Sequence, residues 1–241
     1  MAVWVCLPTY DERENLAPLV DALAGVFAEL EPGSRLLVID DASPDGTGEE
    51  ADRLASQHEF VDVLHRPRKE GLGPAYLAGF RKALAAGAEF VVEMNADFSH
   101  DPRDLPLLLA AMAEADVAVG SRYVDGGGIR NWGPTRRAIS RAGSLYARGV
   151  LGIPIHDLTS GYKCFRRDVL ERIDLARISS VGYAFQIETV YRAERAGFRI
   201  VEVPIVFTDR TRGGSKMSRR IVLEAAAKVP ALRFRALTRR L

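Results

Sequence analysis

The residues best suited to chemistry stand at the end of an apolar run, Val91-Val92-Glu93-Met94, which passes into Asn95-Ala96-Asp97-Phe98-Ser99-His100 just before Asp101-Pro102. An amide and a carboxylate two residues apart, where a buried strand leaves an α/β sheet, present oxygen ligands at the edge where such sheets bind small molecules. A nucleotide diphosphate and its metal ion could sit there. Taken alone the segment is weak evidence, because Asn or Asp after a strand is more often a turn residue. An earlier run ends the same way: Leu36-Leu37-Val38-Ile39 leads into Asp40-Asp41-Ala42-Ser43-Pro44-Asp45-Gly46-Thr47, where turn chemistry follows the paired carboxylates. Two acid-ended strands in one chain point to a shared site.

The elements that must position these residues alternate. Val3–Leu7, Leu36–Ile39, Val61–His65, Phe90–Met94 and Val117–Gly120 read as strands, and Leu16–Leu30, Glu49–Gln57, Pro74–Ala86 and Leu105–Ala113 as helices. This order predicts an α/β fold with a mostly parallel central sheet flanked by helices. Asp125-Gly126-Gly127-Gly128 reads as a flexible surface loop. The first strand argues against a dinucleotide-binding fold, since it runs into Pro8-Thr9-Tyr10-Asp11-Glu12 with no glycine for close approach to a pyrophosphate.

The chain has 241 residues, 47% of them hydrophobic, enough for one large or two small cores. A formal charge of +1 argues against a broadly basic nucleic-acid binder. Cys6 and Cys164 lack the spacing of a zinc or redox motif, which fits a reduced cytosolic setting. Met1 leads straight into a strand, with no secretory leader evident, and no apolar run reaches the roughly 18 residues of a membrane span. The expectation is a soluble or peripheral protein on the cytoplasmic side.

Pro8-Thr9-Tyr10-Asp11-Glu12, Asp40 through Thr47, Asn95 through His100, Gly120-Ser121-Arg122-Tyr123, and Asp209-Arg210 through Ser215-Lys216 together resemble the successive motifs of polyprenyl (dolichyl) phosphate mannosyltransferases. These are inverting glycosyltransferases of family 2 with a GT-A fold. The likeness runs in order from about Val3 to Ser218 and is nearest to bacterial polyprenyl-phosphate mannose synthases that use GDP-mannose. It implies that Pro8, Tyr10, Glu12, Val38 and Asp40 meet the base and ribose. Asn95, Ala96 and Asp97 fall on the ribose and diphosphate, with Asp97 as principal ligand of Mg²⁺ or Mn²⁺ and Ser99 as a second metal contact. Arg122, Arg210 and Lys216 match positions holding phosphate or donor, and Arg122, Arg136 and Ser140 match those gripping the acceptor phosphate. Guanidinium forks suit phosphate oxygens, and a hydroxyl adds a neutral donor.

The chain departs from the family at Asn95, where Asp is usual, so one negative charge is missing. An amide can hold ribose hydroxyls while Asp97 keeps the metal. If both positions serve the metal, affinity for a hard cation falls. The expectation is an active enzyme with a weakened metal requirement. A lipid phosphate, largely dianionic at neutral pH, needs no general base, so a single in-line displacement with inversion is expected. Asp157 could hold a sugar hydroxyl or serve as a turn or N-cap carboxylate; His100 and His156 read as loop histidines.

The chain divides into a catalytic domain over 1–209 and a basic segment over 210–241, in which many Lys and Arg residues face Glu224 as the opposing acid. Part of this segment can form a basic amphipathic helix, resting on an anionic membrane surface or packed on the catalytic domain, with Pro230 kinking or ending it. A separate membrane-anchor protein is a further partner that family relatives use or lack. Two other readings stay open: a UDP-sugar donor in place of GDP-mannose, and a non-catalytic nucleotide-sugar-binding subunit.

Overall fold

The computed structural model describes residues 2–30, 32–209 and 219–238, with side chains in the last stretch from 227 onward. Strands β1 (Val3–Thr9), β2 (Arg35–Asp40), β3 (Val61–His65), β4 (Phe90–Glu93), β5 (Val117–Ser121), β7 (Lys163–Arg166) and β8 (Ile200–Pro204) form one sheet in the order β3-β2-β1-β4-β7-β5-β8. β7 pairs antiparallel with both β4 and β5, and the other pairings are parallel. Parallel strands need crossovers, supplied in the first half by helices α1 (Arg13–Ala28), α2 (Thr47–Gln57) and α3 (Leu72–Ala85). The predicted α/β class is what forms, with each element in this half within a few residues of its expected bounds.

Side-chain alternation explains why the strands read as continuous apolar runs. Trp4 and Cys6 of β1 join a core layer with Ala75, Tyr76 and Phe80 of α3, whereas Val3, Val5 and Leu7 join the opposite layer with Leu16, Leu19 and Leu23 of α1. Helix α3 lies so close to β2 that a Cβ at Gly79 would stand 2.4 Å from Ile39 Cδ1.

The second half was less legible. It adds α4 (Leu105–Ala111), α5 (Pro134–Leu151), α6 (Arg167–Arg172), α7 (Tyr183–Arg195) and α8 (Arg219–Leu237), with β7 and β8 between them. The glycine-rich loop expected around 125–128 ends in a short strand instead: β6 (Gly128–Arg130) pairs in parallel with β9 (Val206–Thr208). Pro230 does not end α8. The helix runs through it, because burial of Val229 and Leu232 against α5 and α7 outweighs the missing backbone hydrogen bond. No helix among the described residues is long and apolar enough to cross a membrane.

Candidate active site

The C-terminal ends of β1, β2 and β4 open onto a cavity of about 360 Å³, closed on the far side by residues following β5 and β9. Three of the turns leaving these strands pass through a left-handed non-glycine residue: Asp11 (φ 54°), Ala42 (φ 57°) and Phe98 (φ 57°). Such conformations persist where surrounding contacts hold them. After β1, the Glu12 backbone N–H donates to Thr47 Oγ1 at 3.1 Å, and Asn15 Nδ2 donates to Glu12 Oε2 at 2.8 Å, tying the turn to the start of α2. After β4, the Asn95 N–H donates to His100 Nδ1 at 3.1 Å.

Pro8, Tyr10, Glu12, Asn95, Ala96, Asp97 and Ser99 all line the cavity, so the structure brings together most of the expected nucleotide set. Val38 and Asp40 do not. Val38 is fully buried in the core layer under α1, and Asp40 points toward the start of α2, accepting the Ser43 N–H at 3.3 Å. The next residue along the strand faces the other way, so it is Asp41 that reaches the cavity. Its carboxylate takes a close hydrogen bond from Arg66 and accepts the backbone N–H groups of Glu70 and Gly71.

Across the cavity stands Arg122. Its Nε and Nη2 donate to Asp157 Oδ2 and Oδ1, each at 2.6 Å, and Nη2 also donates to Thr159 Oγ1 at 2.8 Å. Tyr123, Trp132 and Phe207 surround the guanidinium at 5.2–5.6 Å from their ring centroids. Burial disfavours the charge, but the Asp157 carboxylate more than offsets this and drives the Arg122 pKa upward. With no exposure of its own, Asp157 is the counter-ion of Arg122; it also accepts the Thr159 hydroxyl at 3.2 Å, the turn role among those expected of it, and its own N–H donates to Glu202 at 2.9 Å. With Nε and Nη2 so engaged, no partner for Arg122 Nη1 is found among the described residues, and the side chain lines the cavity.

Arg136, in the first turn of α5, stacks on Trp132 at 4.1 Å and donates through Nη1 to both oxygens of Asp209, at 2.9 and 2.8 Å. Ser140 sits off the cavity wall, its Oγ accepting from Tyr123 Oη at 2.7 Å. Arg210 and Lys216 lie outside the described residues.

His100, expected from the sequence to be a loop histidine, is buried, stacked on Tyr162 at 4.8 Å, and lines the cavity. Burial, aided by Arg122 and opposed by Asp97, pulls its pKa down to about 3, so the ring is neutral, and the bond from Asn95 N–H places its proton on Nε2. His156 is a surface residue paired with Glu202 at 2.7 Å. Asp41, Lys69, Thr159, Gln186 and Phe207 also line the cavity, and the sequence assigns none of them a specific role. Beneath it, register partners Glu93 and Lys163 form a wholly buried pair at 3.4 Å, with Lys163 also donating to the Gln186 carbonyl at 3.1 Å. Burial pushes the Glu93 pKa up and the Lys163 pKa down, each partly countered by the other. The pair joins the sheet to α7 under the floor of the site.

An α/β sheet whose strand ends carry acidic and amide groups on one wall of a cleft, opposite arginines in an aromatic setting, is the architecture of a nucleotide-sugar transferase. Residues 4–174 match the Glycosyl transferase family 2 model, and the chain belongs to that family. It is 51% identical over 229 residues to the undecaprenyl-phosphate mannosyltransferase of Micrococcus luteus, covering 95% of this chain and 93% of that one. It is 51% identical over 227 residues to the polyprenol monophosphomannose synthase of Mycolicibacterium smegmatis, covering 93% and 84%. Among solved structures it is similar in fold to the glucosyl-3-phosphoglycerate synthase of Mycobacterium tuberculosis in complex with UDP, with a TM-score of 0.69, 18% identity, and coverage of 97% of this chain and 80% of that one.

Proposed function

We propose that this chain transfers mannose from GDP-mannose to a polyprenyl phosphate, with inversion at the anomeric carbon. The observation that carries this reading is one cavity with two unlike walls: Asn95, Asp97 and Ser99 on the sheet side, Arg122 and Arg136 on the other, Arg136 being stacked on Trp132. The first suits a nucleotide diphosphate with its cation, the second a dianionic acceptor phosphate. The names of the half-identical relatives support the same substrates.

In this reading Pro8, Tyr10 and Glu12 hold the nucleoside, and Asp41 takes the place on the cavity wall expected for Asp40. Arg122 Nη1 and Arg136 hold the acceptor phosphate so that an oxygen faces the anomeric carbon, and Arg210 and Lys216 meet the diphosphate. Asp97 and Ser99 would hold Mg²⁺ or Mn²⁺. Their hard oxygens fit such an ion, and diphosphate oxygens and water would complete its shell. When bound, the ion neutralises charge on the diphosphate.

The acceptor implies a membrane, and α5 is built to meet one. The helix carries Arg136 at one end, has no acidic residue, and exposes Ile139, Leu145 and Tyr146 beside Arg137 and Arg141. Phe234 and Leu237 of the adjoining α8 are also exposed, and we place both helices against an anionic leaflet on the cytoplasmic side.

The test is transfer of labelled sugar to a short polyprenyl phosphate, scored as organic-extractable product with and without Mg²⁺ or Mn²⁺. Labelled lipid from GDP-mannose supports the proposal. Product from UDP-glucose alone would move the donor, and nucleotide binding with no product from any donor would make the chain a binding subunit.

A further inference from the structure

The segment after β4 is closed by a chain of hydrogen bonds that begins at Asn95. Ser99 Oγ lies 2.5 Å from Asp97 Oδ1, and the Ser99 N–H also donates to Asp97 Oδ1, at 3.1 Å. A carboxylate only accepts, so the single hydroxyl hydrogen of Ser99 goes to Asp97. The Asn95 atom 3.1 Å from Ser99 Oγ must then be the amide nitrogen, donating. The order Asn95 Nδ2–H to Ser99 Oγ–H to Asp97 Oδ1 is thereby fixed, and it holds Phe98 in its left-handed turn.

An aspartate at position 95 cannot take this part. Two carboxylates would compete for one hydroxyl hydrogen, and the loser would face Ser99 Oγ with no hydrogen between them. We infer that Asn95 is a positioning residue that makes the Asp97–Ser99 ligand loop self-supporting without a cation. The site then carries one carboxylate where two would need the cation to hold them together. The inference rests on the proposed cation site and assigns Asn95 the amide nitrogen, rather than the missing charge, as its contribution.

The experiment uses the full chain and Mn²⁺ alone, comparing wild type, Asn95→Asp and Asn95→Ala by free-Mn²⁺ paramagnetic resonance and by thermal melting in EDTA and in Mn²⁺. Both variants are expected to melt about 2–4 °C below wild type in EDTA, the effect of one lost partly buried hydrogen bond in a chain of this size. Asn95→Asp alone is expected to bind Mn²⁺ at least about tenfold more tightly and to regain its melting temperature in Mn²⁺. Equal or higher melting of Asn95→Asp in EDTA, or unchanged Mn²⁺ affinity, would overturn the inference. Failure of the transfer reaction with these shifts present overturns the functional proposal instead.

Discussion

The two walls of the cavity are made in different ways. The sheet wall consists of turns at the ends of buried parallel strands, locked by backbone hydrogen bonds such as Asn95 N–H to His100 and by the Asp97–Ser99 closure. The opposite wall is assembled from side chains on loops and on the half-exposed helix α5, and its arginines are held by carboxylates: Arg122 by Asp157, Arg136 by Asp209. A nucleotide is the same molecule in every turnover, so a rigid backbone frame suits it. In the proposed reading a lipid phosphate arrives from a membrane and leaves glycosylated, and charges held by exchangeable partners suit that traffic.

The two arginines differ in degree, and substitutions should separate them. The Arg122–Asp157 pair is 5% and 0% exposed, bidentate, and ringed by aromatics. Asp157→Ala leaves a buried guanidinium without its counter-ion, and a loss of roughly 3–5 kcal/mol is expected in urea unfolding, together with loss of transfer. Full stability with lost transfer would instead make Asp157 a purely catalytic group. Arg136 is about a quarter exposed and its pair with Asp209 uses one nitrogen, so Arg136→Ala should leave the melting curve nearly unchanged. Its effect should fall on the acceptor, with KM for polyprenyl phosphate rising about 10- to 100-fold while nucleotide affinity stays the same. A matching loss of nucleotide affinity would mean that the two walls are not separate.

The same contrast decides what was legible in the sequence. The sheet wall was readable because two strand-like runs, 36–39 and 91–94, each pass into polar residues, and that repetition in an α/β chain points to a shared edge, where Asn95 and Asp97 lie on the cavity. Its error was local: of the adjacent carboxylates Asp40 and Asp41, strand alternation turns the second into the cavity, and one residue of register decides which. The opposite wall depends on contacts between residues far apart in the chain. Asp157 meets Arg122 across 35 positions and Asp209 meets Arg136 across 73, and no spacing rule reveals either partner. Trp132, Phe207 and His100 were missed for the same reason, since the ring contacts His100–Phe207 and Trp132–Phe207 form only when β6 and β9 pair.

The membrane-facing role proposed for the second wall predicts a smaller effect. Leu145 and Phe234 are 58% and 65% exposed, so changing both to Ser should alter stability by no more than about 0.5 kcal/mol at each position. Co-sedimentation with anionic vesicles should fall several-fold, and transfer to vesicle-borne acceptor should fall with it while transfer to a detergent-dispersed short acceptor is spared. Unchanged vesicle binding would remove these helices from the membrane surface.

The smallest effect is the sharpest test of exchangeable partners. In the acceptor-free protein Asp209 occupies the Arg136 nitrogen that the acceptor phosphate is proposed to take, so phosphate must displace a carboxylate before it can bind. Asp209→Asn removes the charge and keeps the shape, and it should lower the KM for polyprenyl phosphate by about two- to fivefold, the range of a partly exposed ion pair. The variant should also distinguish less well between a phosphomonoester and a singly charged phosphodiester, because only a dianion outcompetes the native carboxylate with ease. If Asp209 merely braces Arg136, the same change would raise KM instead. The sign of the shift, measured at constant donor saturation, therefore tells whether the second wall is a competitor for the lipid phosphate or a scaffold waiting for it.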